Sequence, residues 1–78
     1  MVTDHALDEM MADGLTEDDV EASTLNGRIM RIQADHLGRR RYTIEGHTVD
    51  GRRVRTVCRY SDAGDRIIVI TVYEVGEE

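Results

Sequence analysis

The sequence predicts an α+β domain, ααββββ, with two N-terminal helices packed on a four-stranded antiparallel meander. Up to about Asn26 the apolar residues recur at helical spacing behind helix-capping threonines, whereas from Arg28 onward the period switches to two. Four period-two runs follow one another, separated by links of four or five residues that each contain glycine, the pattern of consecutive hairpins. The 78 residues, 40% of them hydrophobic and none of them proline, suffice for one core over residues 1–78. A chain this short buries only about 60% of its extended surface on folding, so a second core is excluded.

Thr3 and Asp4 cap a first helix whose apolar positions Leu7, Met10 and Met11 fall at i, i+3 and i+4, with Asp8, Glu9 and Asp13 opposite and Gly14 as the stop. Thr16 opens a second helix with Glu17, Asp18 and Asp19 in its electropositive first turn. Val20 and Leu25 supply its apolar stripe, and Asn26-Gly27 ends it. The strands are expected at Arg28–Ala34, Arg39–His47, Arg52–Tyr60 and Arg66–Glu74. The last, Ile67 to Tyr73, is apolar on both parities, which predicts a central strand or one covered on both faces. Alternation puts Tyr42, Ile44 and Gly46 on one face of the second strand and Arg39, Arg41, Thr43, Glu45 and His47 on the other. In the third strand, Val54, Thr56, Cys58 and Tyr60 oppose Arg53, Arg55, Val57 and Arg59. Turning both apolar sets toward the helices requires an odd connection or a bulge near Asp50-Gly51, with Ile44 then expected opposite Cys58.

Charge is segregated along the chain. Residues 1–27 carry eight acids and no Arg or Lys, while residues 28–66 carry all ten arginines against five acids, within a net charge of −6. The absence of lysine is consistent with a GC-rich genome and equally with adaptation to high salt. No apolar run approaches the ~20 residues of a membrane span, and acid-rich helices do not suit an anionic bilayer surface. The single cysteine, Cys58, has no internal partner, which points to a reducing, cytoplasmic compartment. With no Phe or Trp in the core, modest stability is expected, helped by a homodimer or a partner.

The leading constellation is cationic. Arg39, Arg41, Arg53, Arg55 and Arg59, with His47, fall on one sheet face, where guanidinium forks on adjacent strands would track phosphate oxygens of a nucleic-acid backbone. Tyr60 and Tyr73 are the candidates to stack on RNA bases. The same arginines also suit a solvated surface balanced by the acidic helices, or a docking face for an acidic partner. His5, one helical turn before Glu9, is a candidate for proton transfer and equally for a helix-start histidine bonded locally. No metal is expected, because Asp35-His36 and Asp62/Asp65 lack zinc or EF-hand spacing; nor is a cofactor, because no glycine-rich loop precedes a helix.

The order His5-Ala6-Leu7, Met10, Gly14-Leu15-Thr16-Glu17-Asp18-Asp19-Val20-Glu21, Arg41-Tyr42, Asp50-Gly51-Arg52 and Ile68-Val69-Ile70-Thr71-Val72-Tyr73 spans nearly the whole chain. It resembles a family of small prokaryotic toxin-like domains of unknown function related to RelE, ParE and BrnT. The resemblance implies a RelE-like fold and the toxin component of a toxin–antitoxin-type module: a metal-independent endoribonuclease acting on RNA, partnered by a zinc-ribbon or helix-turn-helix antitoxin. It implies His5, Arg41 and Tyr73 as catalytic residues, with Arg52 joining the phosphate-binding arginines. Relatives commonly carry basic residues on the first helix where this chain has Glu9 and Asp13, and ParE-like members bind a protein target and cut nothing. The alternative is therefore a non-catalytic module that binds an acidic antitoxin or other protein through its Arg-rich face.

Overall fold

The computed structural model describes residues 1–76. Helices α1 (Asp4–Ala12) and α2 (Glu17–Asn26) precede strands β1 (Arg28–Ala34), β2 (Arg40–His47), β3 (Arg53–Tyr60) and β4 (Ile67–Glu74). The strands form one antiparallel sheet in the order β1-β2-β3-β4. The meander is as expected, except that β2, β3 and β4 each begin one residue later, because Arg39, Arg52 and Arg66 close the turns.

All three hairpins use one device. Gly38, Gly51 and Gly64 adopt positive φ of 75–88°, a conformation that costs glycine nothing. Each donates its N–H to the carbonyl three residues back, on Asp35, Thr48 and Ser61 respectively. The side chains of those same three residues accept the backbone N–H of Arg39, Arg52 and Arg66 as the chain re-enters the sheet. The β2–β3 loop thereby has the odd length that turns both apolar sets to one side. Ile44 nevertheless lies opposite Thr56, and Cys58 opposite Tyr42. The parity is the expected one and the pairing differs by two residues, because the loop is closed by a Thr48–Arg52 pair.

The caps form as predicted. Thr3 accepts from the Ala6 amide, and Thr16 and Asp19 make a reciprocal capping box. The expected apolar stripes are different. In α1 the buried residues are Ala6 and Met10, while Leu7 and Met11 are exposed. The Thr3 hydroxyl also donates to the Ile70 carbonyl, which fixes the helix's rotation and points its i, i+4 pair inward. In α2, Val20 and Ser23 are buried and Leu25 is exposed. Leu15, Val20, Val54, Val69 and Val72 complete the core around Met10.

The end of α2 is seated directly on β2. A Cβ on Gly27 or on Gly46 would overlap the Ser23 carbonyl oxygen, so glycine is required at both for close approach rather than for backbone freedom. Where β1 has run out, the Asn26 side-chain amide continues the ladder. Its Nδ2 donates to the His47 carbonyl and its Oδ1 accepts the His47 N–H, both at 2.9 Å.

Strand β4 is terminal in the sheet, not central. Its mixed parity comes from a bulge: Thr71 opposes Val57 and Val69 opposes Cys58, leaving Ile70 extra, so Val69 and Val72 both face the helices although three residues apart. Its outer edge is closed by the N-terminal segment, which pairs in parallel through Val2 and Val69. The Glu9 carboxylate then accepts the Val72 N–H at 3.2 Å and the Thr71 hydroxyl, and Asp13 accepts the Glu74 N–H at 3.5 Å. At the other edge, all seven residues of β1 are exposed.

Two substitutions check this packing. Gly46→Ala must push α2 off β2 and should destabilise by about 1–3 kcal/mol or more in urea unfolding. Thr56→Val replaces a fully buried hydroxyl that has no hydrogen-bond partner among the described residues by a methyl of the same shape, and should leave stability unchanged or raise it by about 1 kcal/mol.

Candidate nucleic-acid interface

Residues directly opposite in an antiparallel pair project to the same face, so the register assigns the strand-borne arginines, of which Arg40, opposite Ala34, falls on the helix side. Glu45 pairs with Arg28 and Arg55, Arg55 with Tyr73, His47 with Arg53, Thr43 with Arg31, Arg41 with Gln33, and Arg59 with Ile68. All of these lie on the face away from the helices, and among the described residues no element covers it. Arg41 and Arg59 each sit one residue beyond the Tyr42–Cys58 pair, so their guanidinium groups start from neighbouring positions. Arg41, Arg53, Arg55 and Arg59 thus share the face expected of them. Arg28 and Arg31 join them unforeseen, because a bulge at Met30 hides the period of β1. A shallow cavity of about 360 Å³ lies across this face, lined by Met30, Arg31, Thr43, Arg55, Val57 and Tyr73 among others.

Three expected members sit elsewhere. Arg39 precedes β2 and is held in its turn by Asp35 at 3.3 Å and by Asp62 at 3.5 Å. Arg52 faces the helices and acts as a clamp. Its Nη1 donates to the Asp13 carbonyl at 2.9 Å and its Nη2 to the Gly14 carbonyl at 3.1 Å, with Glu74 and Asp50 at 3.4 and 3.5 Å. These contacts tie the α1–α2 turn to the sheet and leave no open fork for a phosphate. Tyr60 projects to the helix side, edge-on to Tyr42 with ring centroids 6.0 Å apart, because even-numbered β3 residues point there.

On the cationic face the arginines differ in occupancy. Arg55 donates to Glu45 at 2.9 Å. Arg59 lies 3.9 Å from Asp62, and Arg53 donates to the Gly76 carbonyl at 3.3 Å. Among the described residues, Arg28, Arg31 and Arg41 have no carboxylate within 4.0 Å.

His5 lies at the β4 rim of this sheet. Its Nε2 is 3.2 Å from Glu9 Oε1 and 3.5 Å from the Thr71 hydroxyl, and its side chain is 70% exposed. Since Glu9 is itself anchored by Val72 and Thr71, the carboxylate holds the imidazole from one side and leaves the other open. Tyr73 lies two residues along β4 from Thr71 and pairs with Arg55. His5 and Tyr73 thus lie along β4, and Arg55 stands opposite Tyr73 on the adjacent strand β3. Arg41 stands on β2, two strands from β4, a separation of about 10 Å at the usual strand spacing. The helical spacing already put Glu9 beside His5, whereas the Thr71 contribution and the anchoring of Glu9 on β4 were not legible in the sequence, because they depend on where α1 meets β4. Among the described residues no three His, Cys, Asp or Glu side chains gather as metal ligands would, and no helix is long and apolar enough to cross a membrane.

A model for a domain of unknown function, DUF4258, matches residues 2–74, which takes in both helices and all four strands. The chain belongs to the DUF4258 family. No curated protein and no solved structure matches it.

Several carboxylates of this DUF4258 chain are held in their charged form. The Arg55 hydrogen bond keeps Glu45 below its ordinary 4.5. The Thr16 backbone N–H does the same for Asp19, and the Thr48 hydroxyl for Asp50, both from an ordinary 3.8. Arg55 is shifted upward by Glu45 and then by Tyr73, and burial pushes the Cys58 thiol up, consistent with a core residue. Because the folded carboxyls have the lower pKa, their contribution is present above the unfolded values and is lost as the pH falls through the folded ones. The Arg55 contribution is complete below its unfolded value and fades only at extreme alkalinity.

The melting temperature of the DUF4258 chain should accordingly fall as the pH is lowered through and below the ordinary carboxyl values of 3.8 and 4.5, and Glu45→Gln should flatten part of that slope. Arg52→Ala should lower stability by about 1–3 kcal/mol in urea, since it strips two carbonyls and several carboxylates of one cation, without weakening polyanion binding measured by titration.

Proposed function

We propose that this DUF4258 protein binds single-stranded RNA on the helix-free face of its sheet and cleaves it without a metal ion, as the toxin component of a toxin–antitoxin-type module in the RelE, ParE and BrnT superfamily. Its antitoxin is then a zinc-ribbon or helix-turn-helix protein, and its compartment is the cytoplasm. The observation that carries this reading is the coincidence of six strand-borne arginines on one uncovered face with a carboxylate-held histidine at its rim.

In this mechanism Arg55 draws the scissile phosphate to the β4 edge, while Arg41, Arg59 and Arg31 hold the flanking backbone. His5, oriented by Glu9, takes the proton from the ribose 2′-hydroxyl as its oxygen bonds to phosphorus. The bond from phosphorus to the 5′-oxygen breaks, and that oxygen receives a proton from Tyr73, giving a 2′,3′-cyclic phosphate and a 5′-hydroxyl. The guanidinium of Arg55 stabilises the extra negative charge of the phosphorane. Glu9 and Asp13 serve the β4 edge, which accounts for acids on a helix where RNA-binding relatives are basic.

The arginines without carboxylate partners would serve an acidic protein as well as RNA, which favours a non-catalytic module as the second reading. Cleavage of a mixed RNA pool in EDTA, with ribosomes added or withheld, separates the two. Cutting should persist in EDTA, fall about 10²-fold or more in His5→Gln, and weaken in Arg41→Ala together with a salt slope shallower by about one. Absence of cutting under every condition by folded protein would discard the nuclease and leave the binding module.

A further inference from the structure

The two edges of the sheet are treated in opposite ways. The β4 edge is closed by backbone pairing with Val2 and by the carboxylates of Glu9 and Asp13. Among the described residues nothing pairs with the β1 edge, all seven residues of which are exposed, so one row of backbone N–H and C=O groups faces solvent. An uncovered edge strand is a template for another strand unless something blocks it.

The side chains along this edge specify what it accepts. On the helix side, Ile29 and Ile32 are 56% and 54% exposed. Ile29 borders an apolar cleft of about 140 Å³ formed mainly with Tyr42, Ile44, Cys58, Tyr60 and Ile67, and Ile32 lies opposite Tyr42 beside it. On the opposite face stand Arg28 and Arg31, joined by Arg41 of the neighbouring strand, whereas Arg40, opposite Ala34, projects to the helix side. Among the described residues none of these four arginines has a carboxylate within 4.0 Å, whereas Arg39, Arg52, Arg55 and Arg59 are all paired. Arg53 and Arg66 also lack such a carboxylate among the described residues, so four of the six arginines without one stand on β1 or at the start of β2, beside the open edge.

A second copy of this chain does not satisfy that pattern through the same strand. Strand β1 holds two arginines and no acid, so no register of β1 against β1 brings a carboxylate to them, and two-fold pairing about its centre opposes Arg31 to Arg31. The geometry points to β1 as a docking edge for an extended segment of a different protein, one that alternates apolar and acidic residues. Its backbone would continue the sheet, its apolar side chains would cover Ile29 and Ile32, and its carboxylates would meet Arg28 and Arg31. This inference does not depend on whether the protein cuts RNA.

The test uses a fluorescein-labelled nine-residue peptide alternating valine and glutamate, followed by anisotropy and by backbone hydrogen exchange of the intact chain. The alternating peptide should bind and slow exchange at the β1 amides, and Arg28→Glu combined with Arg31→Glu should weaken binding at least tenfold. A peptide of the same composition with its valines and glutamates in separate blocks, and one alternating valine and lysine, should bind at least tenfold more weakly. Equal binding of the block peptide would overturn the proposal, as would binding without protection at β1 or binding indifferent to the double substitution. Protection of β1 by a short single-stranded RNA and not by the peptide would likewise overturn it, assigning the edge to nucleic acid. The exchange measurement uses the unaltered chain, so it decides the question even if the double variant fails to fold.

Discussion

The closure of the β4 edge is the constraint on which the rest of the molecule depends. A four-stranded meander leaves two rows of unpaired backbone groups, and in this chain the first helix and the residues before it resolve one of them. Met1, Val2 and Thr3 run beside β4, and the chain then turns into α1 with Glu9 facing the next free amide, on Val72. That placement sets the rotation of α1, buries Ala6 and Met10, and brings His5 to the rim of the sheet. It also explains the acids on α1: an unpaired strand amide is well served by a carboxylate, and a basic side chain in its place would leave it without an acceptor.

The arginines divide by a related logic. Those in turns or flanked by acids stitch the fold together. Arg52 ties the α1–α2 turn to the sheet, and Asp62 is shared between Arg39 and Arg59 from two different hairpins. Arg28, Arg31, Arg40 and Arg41 project from β1 and β2 with no carboxylate of the described chain within 4.0 Å, Arg28 lying opposite Glu45. A count of charges along the sequence sees one basic segment, whereas the folded molecule contains an internal clamp and an outward surface made of the same residue type.

Much of the fold was legible because its signals are local. The capping threonines Thr3 and Thr16, the turn glycines Gly38, Gly51 and Gly64, and the alternation through β2 and β3 each act within a few residues, and they gave the element order and the cationic face. What the sequence hid is non-local or breaks a period. The bulges at Met30 and Ile70 destroy alternation in the two outer strands, so the arginines of β1 were missed and β4 looked central. Gly27 and Gly46 resemble ordinary helix-end and strand glycines until α2 is placed on β2. Arg52 reads as one of a basic run, and only the three-dimensional path of the α1–α2 turn turns it into a clamp. Likewise Glu9 and Thr71, which hold His5, are more than sixty residues apart.

The same arrangement imposes an order on assembly during synthesis. Each hairpin is made of neighbours in sequence and can close as soon as its glycine turn is complete, a property of low-contact-order structure. The contact between Thr3 and Ile70, by contrast, spans 67 residues, so α1 finds its seat only once β4 has been made. Until then α1 waits as a short acidic amphipathic segment with Met10 uncovered, and the growing sheet has two bare edges instead of one. The seating of α1 on β4 thus closes a loop that spans nearly the whole described chain and binds the hairpins and the helices into one unit.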